Sequence, residues 1–185
     1  RPTKILFVKP PDRFLENEFV YQQLGPHYLQ SFLHRNGISS DLLILYKRSE
    51  SRLNQNQSSD YLSGLSDLDM LLIREDETYI ETPFDNNIFD QYSIVAYSVM
   101  TPQAPDAYQL NREIKKNYPH ITTVIGGSHP RYYLNQVRNL PDEISFDFIV
   151  PQDGWNPMLE IAQGIQKKGS SPTVLEDRMP RLDSL

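Results

Sequence analysis

The chain contains no cysteine. That absence excludes disulfides, thiolate zinc sites and iron–sulfur ligation by these 185 residues. It also has no excess of positive charge: 18 Lys and Arg stand against 24 Asp and Glu, a formal net charge of −6. Nucleic-acid binding driven by counterion release needs clustered cations, so that partner is not expected. No apolar run approaches the roughly 20 residues of a membrane span, and no charged start followed by an apolar stretch marks a signal peptide. The expected location is cytoplasmic, with no membrane partner. Gly-x-Ser-x-Gly, Walker A and Gly-x-Gly-x-x-Gly signatures are all missing, which removes the usual support for hydrolase, nucleotidase and dinucleotide readings. Residue types alone reveal no catalytic set and no metal-ligating set.

What is present is an alternation of strand and helix patterns. With 38% hydrophobic residues, the chain is long enough for one α/β domain with a full core. The run Lys4 to Val8 is a first strand, stopped by Pro10 and Pro11. His27 to Asn36 carries Tyr28, Leu29, Phe32 and Leu33 at helical spacing, with Gly37 just beyond. Strands follow at Asp41 to Tyr46, Ile94 to Ser98, Thr122 to Ile125 and Phe146 to Val150. Helices are predicted at Gln103 to Asn117, Tyr132 to Leu140 and Trp155 to Lys168. Strands apolar on both faces, alternating with amphipathic helices, belong to a parallel sheet covered on both sides. The simplest arrangement is a five-stranded flavodoxin-like (Rossmann-like) order, with an insertion at 47–90 after the second strand that holds a small hairpin around an acidic turn. The domain is expected to span 1–168, and 169–185 reads as a linker. Because the first residue is Arg1 rather than Met, the chain is expected to be a piece of something longer.

In such a sheet, ligands meet the carboxyl ends of the strands at the topological switch point. The fourth strand ends there in Gly126-Gly127-Ser128-His129-Pro130. Adjacent glycines remove side chains where a ligand lies against backbone, or they simply permit a tight turn. On the same rim Ser98 and Thr101 offer hydroxyls for a ligand or a helix cap. His129 is suited to a polar contact with a cofactor, and Gly154 opens the last helix where an amide can meet an anion. Trp155 reads as core packing.

In order and spacing, four segments resemble the N-terminal cobalamin-binding domain of B12-dependent radical SAM enzymes. They are Lys4-Ile5-Leu6-Phe7-Val8-Lys9-Pro10-Pro11, Leu24-Gly25-Pro26-His27-Tyr28-Leu29, Val95-Ala96-Tyr97-Ser98-Val99-Met100-Thr101 and Ile125-Gly126-Gly127-Ser128-His129-Pro130. The resemblance implies a domain that binds cobalamin (B12) with the corrin over the strand ends and the nucleotide tail beside the sheet. It implies contacts from Ser98, Thr101, Gly126, Gly127, Ser128, His129 and Gly154. The partner it implies is a C-terminal radical SAM domain of the same protein, to which S-adenosylmethionine and a 4Fe-4S cluster would belong. The implied activity of the whole is methyl transfer, with this chain non-catalytic alone. There are departures. Gln152-Asp153-Gly154-Trp155 keeps one glycine and one acid of the family's Gly-Glu-Gly-Glu stretch, and Arg131 stands where a threonine is common. No Asp-x-His-x-x-Gly follows the first strand, so the resemblance implies methylcobalamin held without a histidine lower ligand. Gly127→Trp is expected to fill the tail channel and spare the fold. The alternative reading is a flavodoxin-like interaction or docking module that binds no cobalamin.

Overall fold

The computed structural model describes residues 3–13, 24–48 and 65–176. Along the chain run β1 (Lys4–Lys9), α1 (Leu24–Arg35), β2 (Ser39–Lys47), β3 (Leu68–Ile73), β4 (Tyr79–Pro83) and β5 (Ile94–Ser98). Then follow α2 (Ala104–Asn117), β6 (Thr122–Gly126), α3 (Ser128–Tyr132), α4 (Leu134–Arg138), β7 (Phe148–Val150), α5 (Trp155–Ala162) and β8 (Thr173–Val174). The protein is α/β, with one eight-stranded sheet in the order β4-β3-β2-β1-β5-β6-β7-β8.

The expected sheet of five parallel strands is therefore corrected to a mixed sheet of eight. Neighbours from β2 through β1, β5, β6 and β7 to β8 are parallel, whereas β3 and β4 form an antiparallel hairpin on the free edge of β2. The physical reason is that β2 is buried along most of its length, and an apolar strand left at an edge invites pairing. The hairpin closes around Arg74 to Thr78, where the Arg74 amide donates to the Thr78 carbonyl at 2.8 Å and Glu77 adopts φ 65°. At the other edge Thr173 and Val174, in the segment read as linker, pair with Phe148 and Ile149. Residues 49–64 of the insertion and 177–185 of the tail lie outside the described residues.

Alternation along the strands divides the core in two. Leu6, Val8, Val95, Tyr97 and Ile125 face α2, where Ala107, Leu110 and Ile114 complete one cluster. Ile5, Phe7, Ala96, Val124, Phe148 and Val150 face the other way, against Leu33 of α1 and Met158 and Ile161 of α5. Each buried large side chain contributes about 1.5–3 kcal/mol by leaving water. Two helices depart from the sequence pattern. The expected Trp155 to Lys168 helix stops at Ala162, because Gly164 takes φ 70° and turns the chain with its amide on the Ile161 carbonyl. The expected Tyr132 to Leu140 helix is two single turns, broken at Tyr133, whose φ and ψ are −121° and 34°. Among the described residues, no helix is long and apolar enough to cross a membrane.

Candidate functional site

Register builds the site row by row. On the face toward α1 and α5, Phe7, Ala96, Val124 and Phe148 are neighbours across β1, β5, β6 and β7. One pleat nearer the carboxyl ends, Ser98, Gly126 and Val150 are neighbours across β5, β6 and β7. Gly126 and Val150 are smaller than Val124 and Phe148 in the row below, so less side chain fills the space between the rim of the sheet and the helices. The space left is a pocket of about 390 Å³, within the ~300–1,000 Å³ typical of small-molecule sites.

Its inner wall is apolar: Phe7, Ala96, Val124 and Val150 from the sheet, Leu29 from α1 and Met158 from α5. A Cβ on Gly126 would enter the pocket 3.5 Å from the Val150 carbonyl oxygen, an ordinary contact with no backbone strain. A Cβ on Gly154 would meet Leu29 and Met158, each at 3.5 Å. The mouth is polar and aromatic, with Ser98, Ser128, Arg131, Gln152 and Asp153 beside Tyr28, Tyr132 and Trp155. Tyr28 and Tyr132 are 59% and 76% exposed, which makes them a rim rather than a core. Trp155 packs edge-on to Phe32 at 5.3 Å while also lining the pocket, so it joins core and site.

Of the seven candidate residues, Ser98, Gly126, Gly127, Ser128 and Gly154 line this pocket, whereas Thr101 and His129 do not. For His129 the phase of α3 is the reason, while Thr101 lies in the turn between β5 and α2. Ser128, Arg131 and Tyr132 are spaced at i, i+3 and i+4 and face the pocket, while His129 and Tyr133, also i and i+4, face away from it. His129 is buried, stacked on Tyr133 at 5.3 Å, with Nε2 2.7 Å from the Tyr108 hydroxyl and Nδ1 3.3 Å from Thr101 Oγ1. It is a strut between α3 and α2. Burial pushes its pKa below the ordinary histidine value and raises that of Tyr108 to about 12.

Gly127 also needs correction. Its φ of 97° and ψ of −169° belong to glycine almost alone, and a Cβ there would sit 2.7 Å from both N and O of Val99. The residue is required by the close approach of two backbones. Gly127→Trp therefore strains the fold itself, and Gly126 is the position at which the pocket can be filled cleanly.

Across the sheet from the pocket, the end of β1 is fixed by charge. Arg13 donates from Nε and Nη2 to Asp106 at 2.8–3.0 Å, and from Nη1 to Asp67 at 2.7 Å. Residues 14–23, between β1 and α1, lie outside the described residues. Sequence reasoning missed the six apolar wall residues because each reads as ordinary core. The signal that could have found them is the drop in size from Val124 to Gly126 and from Phe148 to Val150 on one face. Arg13 carried no signal, since its partners are 54 and 93 residues away.

No family model matches the chain, and no curated protein matches it. One similar solved structure is a DUF4886 family protein from Bacteroides uniformis, at 12% identity and a TM-score of 0.37. The match covers 68% of this chain and 49% of that one, so the chain spans about half of that protein's length.

Proposed function

We propose that this chain is the cobalamin-binding domain of a B12-dependent radical SAM methyltransferase. The observation that carries the reading is the pocket opened by Ser98 and Gly126 between the strand ends and α1 and α5. A narrow apolar interior under a hydroxyl-bearing mouth suits a flat heterocycle on a polar linker, which describes the benzimidazole nucleotide tail of cobalamin. The strand order β2-β1-β5-β6-β7 supports a flavodoxin-like core, whose switch point lies between β1 and β5. The residues present fit the group: a Cβ at Gly126 would intrude on the space the tail needs, and none is there.

In this reading Phe7, Leu29, Val124 and Met158 exclude water from the base, Gly126 and Gly154 admit it, and Ser98 and Ser128 hydrogen-bond the linker. When bound, cobalamin supplies a cobalt centre able to carry a methyl group. The chain binds and orients; the substrate and the radical chemistry are assigned to a C-terminal domain. His129, with both ring nitrogens engaged, is assigned to structure and not to cobalt.

The test is retention of hydroxocobalamin by the purified chain after removal of free ligand. The wild type should keep the chromophore with a base-off spectrum. Gly126→Leu should lose it while its ligand-free melting temperature stays within a few degrees. A colourless wild type would reject the reading and favour the docking module.

A further inference from the structure

We propose that Arg131 is the specificity residue of this pocket: its guanidinium pairs with the phosphodiester of the nucleotide tail and makes the site selective for complete corrinoids over those lacking the tail. The inference rests on the cobalamin reading of the same pocket.

Two arginines that flank the sheet are held in ion pairs. Arg13 is held by Asp106 and Asp67, and Arg48 by Asp69 at 3.0 Å. Arg131 makes no ion pair among the described residues and stands at the mouth of an apolar cavity. An arginine stripped of partners beside a low-dielectric wall is a strong point for an anion, because its planar donors match phosphate oxygens and the nearby wall weakens screening. The phase of α3 aims Arg131 at the same space as Ser128 and Tyr132, and that phase is fixed by the buried His129.

The rest of the mouth narrows the ligand. Asp153 is the other ionised side chain lining it, and a carboxylate there opposes a bare anion but accepts from a hydroxyl. A ribose phosphate offers both groups together. In cobalamin the phosphodiester joins the corrin side chain to the ribose, so a base seated among Phe7, Leu29, Val124 and Met158 brings phosphate and ribose to the level of the mouth. The chain's overall charge of −6 makes a local cation the more necessary for holding an anionic tail.

The experiment titrates hydroxocobalamin and diaquacobinamide, which lacks the nucleotide and its phosphate, into wild type, Arg131→Gln and Arg131→Lys. Arg131→Gln should weaken hydroxocobalamin about 10- to 100-fold and leave diaquacobinamide within about twofold. Arg131→Lys should recover part of the loss, and added salt should shrink the difference between wild type and Arg131→Gln. Because Arg131 is exposed and makes no ion pair among the described residues, the ligand-free variants should melt with the wild type. Undiminished hydroxocobalamin affinity in Arg131→Gln, or an equal loss for both ligands, overturns the inference and leaves the cobalamin reading standing. Failure of the wild type to bind hydroxocobalamin overturns both.

Discussion

Two adjacent glycines carry different duties, and each can be tested by a single methyl group. At Gly127 the backbone lies where side chains are strained, and an added Cβ collides with Val99 at 2.7 Å. Gly127→Ala should cost at least about 3 kcal/mol in urea unfolding, from the glycine-only backbone region plus the collision. At Gly126 the same methyl meets only an ordinary 3.5 Å contact, so Gly126→Ala should unfold close to the wild type. Equal costs at the two positions would contradict this division. Two residues on, His129 gives a pH signature. Its pKa is lowered in the folded state by burial, so the unfolded chain binds more protons once the pH falls below about 6.5. Stability from this group is thus complete above that pH and is lost as pH falls through the window beneath it, at no more than about 1.4 kcal/mol per pH unit. His129→Gln should flatten the unfolding free energy between pH 5 and 7 relative to wild type. His27, His34 and His120 are exposed and remain in both proteins, so the difference between the two curves isolates the strut.

Between elements, the Arg13 cluster ties the end of β1 to the first turn of α2 through Asp106 and to the start of β3 through Asp67. These side chains are only 9–14% exposed, so the ions are poorly hydrated and depend on one another. Asp106→Ala leaves the guanidinium with one carboxylate and should destabilise by about 2–3 kcal/mol in urea. A cost under about 0.5 kcal/mol would mean that water replaces Asp106. That cluster marks the boundary of what the sequence reveals. The strands β1, β5 and β6 are legible because continuous apolar runs end in proline, polar residues or glycine, and the β3–β4 hairpin because an acidic turn separates two β-rich runs. The join of that hairpin to β2, the extra strand β8 and the break at Tyr133 were not legible. Each depends on which surface lies opposite, which local propensity does not encode. The site divides the same way. Small residues at strand ends pointed to Ser98, Gly126, Ser128 and Gly154. Thr101 and His129 do not line the pocket, and for His129 the phase of a single helical turn decides between pocket and core.

For the whole molecule, the consequence of a pocket wedged between sheet and helices is that ligand binding and folding are linked. The cavity walls come from β1, β5, β6, β7, α1 and α5, and few of these contacts survive if either helix leaves the sheet. A ligand in that space binds the folded chain and has no comparable site on the unfolded one. At a free concentration about 100 times its dissociation constant it adds about 2.7 kcal/mol to stability. A chain of this length shifts its melting temperature by about 2–4 °C per kcal/mol, so saturating hydroxocobalamin should raise melting by about 5–10 °C. Gly126→Leu fills the pocket with its own side chain and should show no such rise, even where its ligand-free curve overlays the wild type. The pair of curves separates two explanations that colour alone confuses. A corrin adhering to the exposed rings of Tyr28 and Tyr132 would tint both proteins and shift both curves alike, whereas a tail seated inside shifts only the protein whose pocket is open. Equal shifts in the two proteins would remove the pocket from the account of binding.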